Sequence, residues 1–269
     1  MPTEQADYRN LEPATKRFYC DIIQILQHAD IPFLVGGSYA LEYYTHIPPN
    51  TKDLDVFVRL EDSDRLLALF KAKEYQTEIP IPHWLGKIHQ GKEFVDVIFN
   101  SPSGNNPVND TWFNSAVEAE IFGIPIKLCS PEDLIRSKAF IMERKRWDGS
   151  DIAHIIHACG NHLNWSYLIG RFRNQWRILL SHLILFGFIY PGKRSQIPNW
   201  VMQELLQRLH QEMLQQPPAD TLCQGTLLSA TQYLIDVEQW GYEDARLHPW
   251  GNLTATEIDQ WTAAVQENA

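Results

Sequence analysis

Apolar and polar residues recur along the first half of the chain in two different periods. From Ala14 to Ala29 the apolar positions Phe18, Ile22, Ile25 and Leu26 follow helical spacing, which predicts an amphipathic helix. Ile31 to Val35 is a short apolar run that stops at Gly36-Gly37, so a strand and then a glycine turn are expected. The same two periods predict a short helix over Ser38–Tyr44, a strand over Leu54–Leu60 and a helix over Ser63–Lys73. Further strands are predicted over Trp84–His89, Glu93–Phe99, Ala119–Phe122 and Pro125–Leu128, the last two joined at Gly123. Between them Ser101–Asp110 (SPSGNNPVND) is rich in turn formers and reads as a loop.

After Ser130 the pattern becomes helical almost without interruption: Pro131–Lys145, Asp151–Cys159, Trp165–Trp176, Ile178–Phe188, Pro198–Leu214 and about two more helices to the end. The switch predicts a domain boundary near residue 130, with an α/β (α+β) domain over 1–130 and a helical domain over 131–269. Ile178–Tyr190, the longest apolar stretch, is shorter than the ~20 residues of a membrane helix and contains His182, so it reads as a buried helix. With a polar start and no signal-peptide pattern, the chain is expected to be soluble and cytoplasmic, without a membrane partner.

Composition adds little to this picture, and charge adds more. Four cysteines, at 20, 129, 159 and 223, include no CxxC pair, which removes zinc ribbons and redox motifs and suits core residues in a reducing compartment. Formal net charge is −10, against a protein that coats nucleic acid. Yet residues 136–194 hold ten Lys or Arg against three acids. A basic middle in an acidic protein suits an anionic ligand such as a triphosphate or RNA, or else a set of solvated helix faces.

Three features carry candidate chemistry. Val35-Gly36-Gly37-Ser38 ends a strand just before a helix, where free backbone N–H groups and a hydroxyl can receive phosphate. Asp53-Leu54-Asp55 opens an apolar strand, and period two puts both carboxylates on one face, where they can share a hard divalent cation. Asp96 lies inside Phe94-Val95-Asp96-Val97-Ile98-Phe99, where a carboxylate requires a metal, a basic partner or a proton. Other features have plainer explanations. Asp148-Gly149-Ser150-Asp151 reads as a helix N-cap, His154 and His157 lack the pattern of a zinc site, and helix packing accounts for the seven tryptophans from Trp147 onward.

The order Gly36-Gly37-Ser38, then Asp53-x-Asp55, then a lone Asp96 on a later apolar strand resembles the nucleotidyltransferase fold of the DNA polymerase β superfamily. Within it the chain is similar to small bacterial nucleotidyltransferases, including abortive-infection toxins and antibiotic-modifying enzymes, over about residues 30–155. Ser130-Pro131-Glu132-Asp133-Leu134-Ile135-x-x-Lys138 and Asp148-Gly149-Ser150-Asp151 are similar to segments that follow the sheet there. Relatives often carry an Arg two residues before the Thr that precedes the acidic pair, where this chain has Pro49.

The resemblance implies a mixed sheet with flanking helices and transfer of a nucleoside monophosphate from an NTP to an acceptor hydroxyl, with release of pyrophosphate. Asp53, Asp55 and Asp96 would be the catalytic acids and hold Mg²⁺, with Mn²⁺ as the alternative. Gly36, Gly37, Ser38, Lys52 and Lys138 would bind the nucleotide. Arg171, Arg173 and Arg177, read as one basic helix, would bind an RNA acceptor, tRNA included; a protein or small-molecule acceptor stays open. A nucleotide- or partner-binding module without turnover and a metal-dependent nucleotide phosphohydrolase are the other readings.

Overall fold

A computed structural model describes residues 11–48, 53–219 and 221–267. The chain forms two compact units, residues 1–130 with 253–261 and residues 131–252 with 262–269.

The first unit is built from α1 (Pro13–His28), β1 (Leu34–Val35), α2 (Gly37–Thr45), β2 (Leu54–Phe57), α3 (Leu60–Ala72), β3 (Gln76–Ile81), β4 (Leu85–Gln90), β5 (Glu93–Ile98), α4 (Asp110–Ser115), β6 (Val117–Ile121) and β7 (Ile124–Leu128). Among the described residues the strands form one seven-stranded sheet in the order β3-β4-β5-β2-β1-β7-β6. It is mixed: β2 runs parallel to β5 and β1 to β7, and the other neighbours are antiparallel.

Register decides what each face carries. Leu54 pairs with Val95 and Val56 with Val97, so fully buried aliphatic side chains line one face of the central strands. The residues between them, Asp55 and Asp96, pair with each other and share the opposite face. Helix α1 starts on Pro13 and buries Phe18, Tyr19, Ile22, Ile23 and Leu26 at the spacing read from the sequence.

Two elements of this unit were not predicted. β3 (QTEIPI) is a mostly exposed edge strand containing Pro80, and its pairing with β4 supplies the order that its own pattern lacks. Helix α4 starts where Asn109 accepts a hydrogen bond from the Thr111 N–H at 3.0 Å and is held by Trp112, buried against Phe57 with ring centres 5.4 Å apart.

The second unit contains α5 (Pro131–Lys138), α6 (Gly149–Cys159), α7 (Trp165–Phe172), α8 (Trp176–Ile189), α9 (Asn199–Met213), β8 (Leu222–Cys223), α10 (Leu234–Glu238) and β9 (Glu243–Asp244). Helix α11 (Ala255–Glu267) runs through residues of both units. The helix predicted to Lys145 stops at Lys138 because tertiary contacts claim the next segment. Met142 N–H donates to Leu228 O, and the Glu143 carboxylate accepts from Ala230 N–H at 2.7 Å and from the Ser229 hydroxyl. The helix predicted over Trp165–Trp176 breaks at Arg173, whose φ of 44° lies in the left-handed region. Helix α8 buries Leu179, Leu180, His182, Leu183 and Phe186. No helix among the described residues is long and apolar enough to cross a membrane.

Candidate active site

The parallel pairing of β2 with β5 places Asp55 directly beside Asp96, and Asp53 precedes Asp55 by one full strand repeat. One strand further, Lys87 of β4 is the register partner of Asp96. All four side chains therefore belong to one sheet face, as an acidic group with Lys87 at its border. Asp96 meets its requirement through a basic partner: Lys87 Nζ donates to Asp96 Oδ1 at 2.6 Å. The ammonium also lies 4.1 Å from the centre of the Phe94 ring.

The glycine turn abuts this group. Gly36 N–H donates to Asp55 O at 3.0 Å, tying the end of β1 to β2. Gly37 has φ 55°, and a Cβ built there would lie 2.6 Å from Asp55 Cγ, so the carboxylate occupies the space that any side chain would need. A Cβ on Gly36 would fall 2.7 Å from Cδ2 of Phe57 and 3.1 Å from Cys129 Sγ. Both glycines are thus required by packing. The turn leads into the first helical turn of α2, where the N–H groups that begin a helix lack intrahelical partners and Ser38 stands half-buried.

Electrostatics at the strands are those of crowded acids. Burial, and then the charge of Asp96, pushes the Asp53 carboxyl above its ordinary range, against an opposing effect of Lys87. The Tyr19 hydroxyl is pushed up by burial first and then by Asp53 and Glu93. Tyr19 also stacks on Phe122 and meets Tyr39 edge-on, with centroids 6.4 and 6.1 Å apart, so α1 and α2 share an aromatic cluster close to the acidic strands.

The donor set consists of carboxylate oxygens, which suits a hard divalent cation, and Lys87 already stands where a cation would relieve Asp96. By that test the acidic residues fit such an ion. Among the described residues, however, no group of three or more His, Cys, Asp or Glu side chains converges as a ready cation cage.

The remaining predicted residues are not part of this strand group among the described residues of the first unit. Lys52 and Pro49 fall outside the described residues. Lys138, in the helical unit, donates to Asp151 Oδ2 at 2.6 Å and Asp148 Oδ2 at 3.2 Å. Asp148 precedes α6, but its carboxylate makes no cap bond and instead receives Lys138 and Arg146, which corrects the N-cap reading of that side chain. Arg171, Arg173 and Arg177 do not share a helix: Arg171 ends α7, Arg173 is in the break, and Arg177 begins α8. Lys87 was not singled out in the sequence, although its alternation with Gly86 and Ile88 in a strand pattern was available.

No profile of a known protein family matches the sequence, and no curated protein matches it. Solved structures similar to the chain include antibiotic nucleotidyltransferases. The antibiotic-resistance factor ANT(2'')-Ia aligns with a TM-score of 0.45 and 18% identity, over 64% of this chain and 98% of that one. The lincosamide antibiotic adenylyltransferase LnuA, solved with lincomycin, aligns at 0.39 and 16%, over 54% of this chain and 97% of its own. An antigenic nucleotidyltransferase-like protein from Paracoccidioides brasiliensis aligns at 0.39 and 17%, over 61% and 87%.

Proposed function

We propose that the chain is a nucleotidyltransferase that moves a nucleoside monophosphate from an NTP to an acceptor hydroxyl, with pyrophosphate leaving, and that residues 1–130 form its catalytic domain. The observation that supports this most is the pairing of Asp55 with Asp96 beside the glycine turn, which joins an acidic face to a phosphate-type cradle.

In this reading the N–H groups opening α2 and the Ser38 hydroxyl receive the β and γ phosphates, with Gly36 and Gly37 holding the turn close against β2 so that its N–H groups face the nucleotide. Lys52 contributes a further positive charge. Asp53, Asp55 and Asp96 would hold Mg²⁺ or Mn²⁺. When bound, such ions offset the charge of the triphosphate and make the attacking hydroxyl more acidic. Asp96 accepts the proton of the acceptor hydroxyl, and Lys87 fixes the direction in which its carboxylate points. Attack on the α-phosphorus then breaks the bond to the bridging oxygen, and pyrophosphate departs in line.

One observation favours a second reading. Asp96 is already engaged by Lys87, which would suit a nucleotide-binding module without turnover. Incubation with each α-labelled NTP, in the presence and absence of RNA, protein and small hydroxylated compounds, separates the two. The proposal expects label on an acceptor, pyrophosphate release that depends on that acceptor, and loss of both in Asp55→Asn. NTP binding without transfer supports the binding module, and phosphate release without any acceptor supports a hydrolase; either result overturns the transferase.

A further inference from the structure

Lys87 is embedded in the acidic face, with little freedom to be an ordinary surface lysine. Its side chain is 21% exposed and that of Asp96 is 20% exposed, so their ion pair at 2.6 Å is substantially shielded from water. Glu78, its register neighbour on β3, is engaged with His89 at 2.9 Å. The charge of Lys87 also reaches Asp53, where it opposes the effects of burial and of Asp96. The Phe94 ring at 4.1 Å gives the ammonium a second attractive surface, one that does not depend on Asp96.

We propose that Lys87 is a positioning residue that acts as a resident counter-cation. It holds Asp96 and neutralises the acidic strands while no divalent ion is present, and it makes the site take up such an ion weakly by itself and well only with a triphosphate. A free cation entering this face must displace an ammonium from a carboxylate oxygen and then sit beside a positive charge. A triphosphate supplies the negative charge that offsets both costs, and the displaced ammonium can remain over Phe94. The acidic face thereby stays folded and largely unloaded until nucleotide arrives. This inference rests on the nucleotidyltransferase reading of the site.

Titration with Mn²⁺ alone, without nucleotide, tests it by calorimetry on the full chain. Lys87→Met is expected to bind Mn²⁺ about tenfold or more tightly than wild type, since a nearby positive charge is removed. Lys87→Arg, which keeps the charge, is expected to bind as weakly as wild type. The metal-free Lys87→Met protein should melt lower than wild type and recover on adding Mn²⁺. Adding a non-hydrolysable NTP should shrink the difference in affinity between the two proteins. The direction is diagnostic, because a lysine that only supported the fold would weaken binding when removed.

Equal or weaker Mn²⁺ binding by Lys87→Met, with binding still abolished by Asp55→Asn, overturns the counter-cation and leaves the site reading standing. If Asp55→Asn leaves Mn²⁺ binding by Lys87→Met intact, the ion sits elsewhere and both the site reading and this inference fall. Should Lys87→Met not fold, Lys87→Gln gives the same comparison with a polar, uncharged side chain.

Discussion

Replacing Gly37 by alanine inserts a methyl group into the contact between the glycine turn and Asp55. Two costs can be separated. Gly37 has φ 55°, and an L residue in that left-handed region costs about 1–2 kcal/mol. The new carbon would also lie 2.6 Å from Asp55 Cγ, so the carboxylate must leave its rotamer, at about 0.5–1.5 kcal/mol. The sum is roughly 1.5–3.5 kcal/mol of lost stability. Only the second cost depends on Asp55. Asp55→Gly is the suitable background, because the Asp55 Cβ itself would lie only 3.0 Å from the inserted carbon.

In that background Gly37→Ala should cost about 1–2 kcal/mol, and the double-mutant cycle should return a coupling of about 0.5–1.5 kcal/mol. Urea midpoints of the four proteins supply the cycle, and equilibrium binding of an NTP is measured on the two that retain Asp55. Because the methyl group displaces a carboxylate proposed to serve the nucleotide, affinity should fall by more than the stability loss alone explains, at about tenfold or beyond. A coupling of zero, or unchanged NTP affinity in folded Gly37→Ala, refutes the link between the turn and the acidic strand.

Asp53 should oppose stability: a carboxyl raised in the folded state loses stability as pH rises through its folded pKa, so Asp53→Asn should raise the melting temperature at about pH 7 and not at about pH 3. An equal shift at both pH values would exclude the electrostatic cause. Asp148 has the opposite sign, because burial, which raises its pKa, is outweighed by hydrogen bonds and charge from Arg146 and Lys138, and the net effect holds it below its ordinary 3.8. Its contribution is complete above the ordinary value and is lost as pH falls through the folded one, so thermal melts should show Asp148→Asn less stable at neutral pH, with the gap closing on acidification below the ordinary value.

Much of the sheet was legible because its strands are apolar enough to declare themselves. Leu54, Val56, Val95 and Val97 are all fully buried, and period two also put Asp53 and Asp55 on the face opposite Leu54 and Val56. What the period could not supply is the pairing of strands distant in sequence. That β2 lies next to β5, bringing Asp55 beside Asp96, and that β4 follows, bringing Lys87, are facts of topology. The sequence left three ways to satisfy Asp96 open, and the partner is a lysine nine residues earlier on a strand whose pattern named no function. Edge strand β3 was illegible for a related reason, since an exposed strand has no apolar face to betray it.

The basic stretch 136–194 shows how a charge count along the chain can differ from charge available in space. Arg136 is buried, packed 4.0 Å from the centre of the Phe140 ring and 5.3 Å from that of Phe172, and donates to Gln175 Oε1 and Arg171 O. Burial, with Arg171 and Arg173 nearby, pushes its pKa down to about 9. Arg171 is paired with Asp133 at 2.7 Å, Lys138 with Asp148 and Asp151, and Arg177 with Glu212. Asp133 and Glu212 lie outside the window in which the cations were counted, so two of the charges in its excess are compensated by acids elsewhere in the chain. A cation already paired to a buried carboxylate contributes little to an outward field, and releasing it would leave that carboxylate uncompensated. Much of the local excess therefore serves cohesion of the helical unit, and a polyanionic acceptor would have to draw on the cations that these pairs leave over.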